Sequence, residues 1–526
     1  MRLFCASFVV TLFVLESPIA QAAPARPARA LEDRDAAEDA DPAPLADAVA
    51  AYRAKKPQAA SLALHQMLAE GAWPGKEAKI QYFLALSLYD LGMVHAAEHY
   101  LVAVLKHGPS DPWFALALPR LAALATETGD DTALARIAAR VAPEDVPASA
   151  RDTLAYLRGA RLYDAGDLTA ARAELADVAE SSAYYPRARY LTGVILSRQD
   201  RLKSAATAFR EVAAFREVAA TGDAPTAPGD RVSDLSTLNL GRIYYGIGEY
   251  AAADQWYAAV PRDSTYWPES VFESAWSNFL LDDPDRTLGQ LLTLQAPSVE
   301  AGEFLPEAPI LTALTWLTVC EFEEVDRAVD DFDARYRPVH AEMKAFVQAY
   351  ASEEGHQLAD EAYDRYFGPD PADTALPKAL FGRVLRDREL AGVVGQLAAM
   401  DAEEVLVGAQ KPAWRDTVGA HLLDLLATDR VRLKRRGGLA LLREMSTTTT
   451  WLGDLIDQAQ IIRFERVSTW SNVLDAAAAA PASTALAART DPSYSVSSDR
   501  IYWPFNGEFW DDELGSYRYA TSSSCK

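Results

Sequence analysis

Residues 154–178 read LAYLRGARLYDAGDLTAARAELADV, and residues 236–260 read STLNLGRIYYGIGEYAAADQWYAAV. Aligned on Gly159 and Gly241, the two stretches share one grammar: Leu162 with Tyr244, Gly166 with Gly248, Leu168 with Tyr250, Ala171 with Ala253, Leu175 with Tyr257 and Val178 with Val260. Apolar residues at three- and four-residue spacing on both sides of a glycine describe two amphipathic helices joined by a tight turn. Small residues at Gly159 and Ala171 let the helices approach closely, and Gly166 and Gly248 supply the permissive backbone of the turn.

The anchor recurs at Gly193 and Ala275, so the four anchors are separated by 34, 48 and 34 residues. The longer step carries 14 extra residues, visible as a duplicated six-residue unit in AFREVAAFREVAA, residues 208–220, followed by the loop-like 221–230. Asp200 and Asp282 stand where the turn glycine does elsewhere, a residue type that also favours turns. Upstream, Ala85 and Ala122 continue the array at steps of 37; downstream, the unit at Ala313 is weaker, with Cys320 at the turn and Val325 at the small position. Strand signals are almost absent, so the fold class is all-α, a helix–turn–helix solenoid followed by a C-terminal helical region and a short aromatic-rich tail.

The repeat resembles the tetratricopeptide repeat (TPR), whose 34-residue helix–turn–helix places small residues where its helices cross and aromatics between neighbours. The resemblance covers roughly residues 46–340. It implies a protein-interaction module without intrinsic catalysis, with the first helix of each unit lining a concave surface. Offsets from the small anchor then give the partner-facing positions Tyr82, Tyr89, Tyr156, Tyr163, Tyr190, Arg242, Tyr245, Phe272, Trp276 and Phe279. Tyrosine and tryptophan combine a large contact area with a polar edge, which suits an extended peptide or helix; the alternative is packing between repeats, the reading favoured for Phe272.

The chain has 526 residues, with 50% hydrophobic and 24% charged residues, ordinary values for a folded protein. Acidic residues outnumber basic ones 75 to 51, a net charge of −24 that repels phosphate backbones and argues against nucleic acid as a partner. Met1-Arg2, the apolar run Leu3–Leu15 and Ala20-Gln21-Ala22 fit a signal peptide over residues 1–22 with cleavage before Ala23, and the apolar run is too short to span a bilayer. The expected location is therefore periplasmic or secreted, or peripheral to the envelope, with no transmembrane segment in the mature chain. Residues 23–45, rich in Ala, Pro and acids, read as a disordered linker.

The solenoid is expected over 46–350, and beyond it the register is lost while helical periodicity persists. Lys378–Met400, Ala413–Arg436 and Thr450–Ala480 are expected as long helices of a C-terminal region, 351–480. The basic run Arg430–Arg436 followed by Gly437-Gly438 reads either as a dock for an acidic partner or lipid headgroups or, preferably, as a helix end where cations meet the dipole before a glycine stop. Residues 481–526 contain too many aromatics for a free tail and are expected to pack back on the helices.

Little points to catalysis. His95-Ala-Ala-Glu98-His99 matches the H-x-x-E-H zinc pattern, but it falls on the second helix of a repeat, where Ala97 is the small residue, and no third ligand is evident; His107 is read as solvated. No nucleophile elbow, phosphate loop or dinucleotide fingerprint is present, and no cofactor is implied. Removal of residues 1–22 would leave Cys320 and Cys525, which either form one disulfide in an oxidising compartment or remain two thiols. The expectation is a scaffold or adaptor binding a partner protein or peptide of an envelope complex, in outer-membrane assembly, secretion or motility. The alternatives are a periplasmic carrier of a small ligand or glycan and, remotely, a zinc hydrolase.

Overall fold

A computed structural model describes residues 41–71, 73–128, 130–220, 231–350, 358–371, 373–479 and 505–521; the expected signal peptide, most of the linker, the loop 221–230 and Cys525 lie outside them. Seven helix pairs follow one another: α1 (Ala43–Arg53) with α2 (Pro57–Ala69), α3 (Glu77–Asp90) with α4 (Val94–Leu105), α5 (Phe114–Thr128) with α6 (Thr132–Ala138), α7 (Arg151–Asp164) with α8 (Leu168–Ala176), α9 (Tyr185–Arg198) with α10 (Leu202–Ala220), α11 (Arg231–Gly246) with α12 (Tyr250–Ala258), and α13 (Trp267–Leu280) with α14 (Pro284–Thr293). After the short α15 (Pro297–Glu300), α16 (Glu307–Thr318) pairs with α17 (Phe322–Tyr350). Then come α18 (Ala359–Phe367), α19 (Lys378–Val384), α20 (Arg388–Gly408), the single turn α21 (Pro412–Trp414) and α22 (Ala420–Ala479). The described residues contain no strand.

The architecture is a TPR-like solenoid, and its geometry explains the anchors. A Cβ on Gly159 would lie 2.7 Å from Leu175, on Gly193 2.7 Å from Phe209 and on Gly241 2.4 Å from Tyr257, each partner sixteen residues after its glycine. Only hydrogen fits where the first helix meets the second. The turn between paired helices is a residue in the left-handed region: φ is +83° at Gly166, +82° at Gly248, +56° at Asp200, +60° at Asp282 and +60° at Cys320. Asp167 and Asp283 then cap α8 and α14, accepting from the backbone N–H three residues on.

Three apolar cores form. The first runs through α1–α12 and reaches Tyr266, the second joins Phe304 and α16–α17 to α18, α19, α20 and α22, and the third links α13, α14 and α16 to the C-terminal segment at Leu514. Core packing runs across residue 350, since α17 buries Val325, Phe332 and Met343 in the second core with the C-terminal helices.

Two helix expectations are corrected. Lys378–Met400 is broken at residues 385–387, where Asp387 caps α20 by accepting from Leu390 N–H at 2.8 Å. The expected helices Ala413–Arg436 and Thr450–Ala480 are joined from Ala420 to Ala479 as one 60-residue helix, α22, which runs through Gly437-Gly438. Those glycines do not end a helix; they admit a neighbour, since a Cβ on Gly438 would lie 1.6 Å from the Ala359 carbonyl oxygen and one on Gly437 2.8 Å from Tyr363. The basic run is consumed internally: Arg430 pairs with Asp401 and Glu404, Lys434 with Asp364, and Arg436 with Glu389.

Candidate interaction surfaces

The C-terminal helices reach back across the solenoid to its first repeats. Trp414, only 3% exposed, donates its indole N–H to Ser61 Oγ at 2.8 Å, joining Val407, Val418 and Leu422 in the first core. Glu403, on α20, accepts from His95 N–H at 2.8 Å and Ala96 N–H at 3.1 Å, supplying to the N-terminus of α4 the carboxylate that its own sequence lacks. His95 Nε2 lies 3.1 Å from Asp429 of α22, and Arg388 pairs with Asp131 at the start of α6.

Between this bridge and the middle repeats lies a cavity of about 890 Å³. One wall is Leu157, Ala160, Arg161, Tyr163 and Asp164 of α7 with Leu191 of α9; the other is Arg383, Arg386, Arg436, Arg443 and Glu444. Most charges are matched across the opening or along it: Arg386 to Glu303 at 2.6 Å and Glu269 at 3.6 Å, Arg436 to Glu389 at 3.5 Å, Arg443 to Asp387 at 3.0 Å. Burial alone would raise Glu269, yet the charges of Arg242 and Arg386 outweigh it and hold the carboxyl below its usual range. Burial lowers Arg383, whose guanidinium lies 4.4 Å from the Trp451 ring centroid. Arg140 and Arg161, exposed on the solenoid wall, have no ion-pair partner among the described residues.

The aromatic stripe is placed mostly within the stack. Tyr82, Tyr156, Tyr163 and Tyr190 are at most 6% exposed, and Phe272 is 5% exposed. Tyr82 lies 5.3 Å from Trp113 and Tyr156 5.3 Å from Tyr184; the Tyr190 hydroxyl accepts from Asn239 Nδ2 at 3.0 Å. Arg242 is locked to Glu269 and Glu273 of the next repeat. Trp276 and Phe279 pack edge to face and lean on the third core, and Tyr245 meets Tyr250. Tyr82, Tyr156, Tyr190 and Arg242 thus meet the following repeat, whereas Tyr245, Trp276 and Phe279 are half-buried and meet rings of their own helix pair. Tyr89 is 39% exposed, and its hydroxyl donates to Glu127 at 2.6 Å and is thereby pushed up to about 12; Tyr163, though buried, lines the cavity with Arg198 stacked 4.8 Å over it. Repeat offsets could not reveal the cavity, because one of its walls comes from helices outside the repeat.

The H-x-x-E-H residues are dispersed in role: His95 bonds Asp429, His99 meets the Tyr100 ring, and His107 faces Gln81. Among the described residues no group of three His, Cys, Asp or Glu side chains is placed to hold a metal ion. Cys320 is buried and disulfide-bonded, while Cys525 lies outside the described residues. No helix among the described residues is long and apolar enough to cross a membrane.

No protein-family model and no curated protein matches this sequence. Solved structures that match include a tetratricopeptide repeat protein from Parabacteroides merdae, 14% identical, covering 49% of this chain and 93% of that chain with a TM-score of 0.31.

Proposed function

We propose that this chain is an exported, non-catalytic scaffold that holds a segment of a partner protein of the cell envelope in the cavity between α7, α9 and the C-terminal helices. The observation that carries this reading is the cavity itself: about 890 Å³, open to solvent, and walled by charged side chains from two parts of the fold. Arg140 and Arg161, exposed at its solenoid rim beside Asp130 and Asp164, offer two guanidinium groups to acidic side chains of such a segment. Export rests on the N-terminal run Leu3–Leu15 and Ala20-Gln21-Ala22.

The test is photocrosslinking in envelope extracts from a reactive residue at position 164, with and without Arg140→Glu and Arg161→Glu together. A crosslinked protein lost in the double variant, with the helical signal and unfolding midpoint unchanged, supports the reading; the same crosslink in both sinks it. A ligand of small-molecule mass recovered instead would favour the carrier reading.

A further inference from the structure

The third core contains a segment that belongs to no repeat. Residues 505–521 run in extended and turn conformation across α13, α14 and α16, held largely through their own backbone. Gly515 N–H donates to Thr293 Oγ1 at 3.0 Å, and Tyr519 N–H to the Asp285 carbonyl at 2.9 Å. Thr521 donates from both N–H and hydroxyl to Asp285 Oδ1, at 2.7 and 2.6 Å. Arg262 donates to the carbonyls of Asp511 and Asp512. Leu514, 7% exposed, enters a pocket of Val271, Leu291, Leu294 and Leu311, flanked by Phe509 and Tyr517. Backbone capture with one apolar anchor is how proteins recognise extended peptides.

Gly289 shows that the surface is shaped for such a chain. It sits in the middle of α14, where glycine is a poor helix former, and a Cβ there would lie 1.8 Å from the Tyr517 carbonyl oxygen. Fourteen residues after the anchor, where Gly289 stands, the other units carry Ala173, Thr207 and Gln255, so helix pairing does not require glycine there; the segment's crossing backbone does. Beyond Tyr519, which meets Trp316 edge to face at 5.6 Å, the groove continues as a cavity of about 440 Å³ between α14, α16 and α17.

We propose that the α13–α14–α16 face is a peptide-recognition groove, occupied in cis by residues 505–521, and that its other occupant is an extended partner segment of the same chemistry: an aromatic residue, a leucine five positions on, then a glycine and a second aromatic. The covalently attached segment acts at high effective concentration, so it competes with any such partner and sets the threshold for binding. This site is separate from the charged cavity, and its test does not depend on that cavity.

The probe is a fluorescein-labelled peptide of residues 505–521, added to the full chain. Wild type should bind it at least tenfold more weakly than Leu514→Asp, in which the attached segment loses its anchor while the groove is untouched. Adding Gly289→Ala to Leu514→Asp should abolish uptake, since the methyl occupies the place of the Tyr517 carbonyl. Equal uptake by wild type and Leu514→Asp, or uptake surviving Gly289→Ala, would overturn the proposal. Should Leu514→Asp misfold, full-length Gly289→Ala gives the same answer: protease cleavage within 505–521 should accelerate at least tenfold with the helical unfolding midpoint unchanged, and unchanged cleavage overturns it. A concentration-dependent dimer of Leu514→Asp that takes up no peptide would assign the groove to a second copy and likewise overturn the partner reading.

Discussion

Replacing Gly438 by alanine measures how the C-terminal region is held together. In an ordinary helix interior the change would stabilise by about 1 kcal/mol, because glycine carries the larger entropy cost. Here the new methyl would stand 1.6 Å from the Ala359 carbonyl oxygen and 2.5 Å from its carbon. The obstacle is backbone, which cannot rotate aside as the tip of a side chain can, so α18 must lift from α22 by roughly 2 Å to restore van der Waals contact. That opens the seam around Ala359, Ala362 and Tyr363, all buried. Overpacking of this kind costs about 1–3 kcal/mol, and an immovable neighbour puts it at the upper end, so the net loss after the helix gain is about 2 kcal/mol. The second core spans residues 304–462; a unit of that size loses about 2–4 °C per kcal/mol, giving a fall of about 4–8 °C in its melting temperature. Gly395→Ala in α20 is the control: nothing lies within 4 Å of its Cβ position, so the same chemistry should raise the midpoint by about 2–4 °C. Thermal unfolding followed by circular dichroism decides between them. A Gly438→Ala protein melting at or above wild type would refute the assignment of this glycine to close helix crossing.

Two further outcomes are expected. Burial, helped by the nearby Asp130 carboxylate, raises Glu98 to about 7; a carboxyl held above its unfolded value contributes stability at low pH that is lost as pH rises through 7, so Glu98→Gln should melt higher than wild type at pH 8 and close to it at pH 5. The disulfide at Cys320 is expected to close on Cys525, so denatured mature protein alkylated without reductant should gain no label by intact mass, whereas two labels would exclude the bridge.

The repeats were legible because each signal was a direct contact. Gly159, Gly193 and Gly241 are small because Leu175, Phe209 and Tyr257 press on them, and Asp200 and Asp282 read as turn residues because they occupy the left-handed conformation that Gly166 and Gly248 adopt elsewhere. Local causes leave local marks at a fixed period. Gly437-Gly438 misled for the complementary reason: a glycine pair after a basic run is what a helix end looks like, and the same pair is what a helix crossing needs. Only the position of α18 distinguishes them, and that is set by contacts some eighty residues apart in sequence. The concave stripe shares the limit, since the offset from an anchor says which way a side chain starts but not how far the next helix pair covers it.

The bridge from the C-terminal helices to the first repeats changes what kind of object the solenoid is. A stack of repeats that touch only their neighbours is stabilised by a sum of nearest-neighbour terms and can fray from either end. Here Glu403 caps α4, Trp414 anchors to Ser61 and Arg388 pairs with Asp131, so the early repeats are tied to α20 and α21, and α20 packs on α22, which itself packs on α16 and α17. These contacts join residues more than 250 positions apart, and each lost contact at one end exposes surface at the other. A partner held in the charged cavity would touch both sides of this closure at once, through α7 and α9 on the solenoid and through Arg386 and Arg443 on the bridge. Binding there would stabilise the closed arrangement by its differential affinity for it, whereas a ligand on either wall alone would leave the closure unbiased.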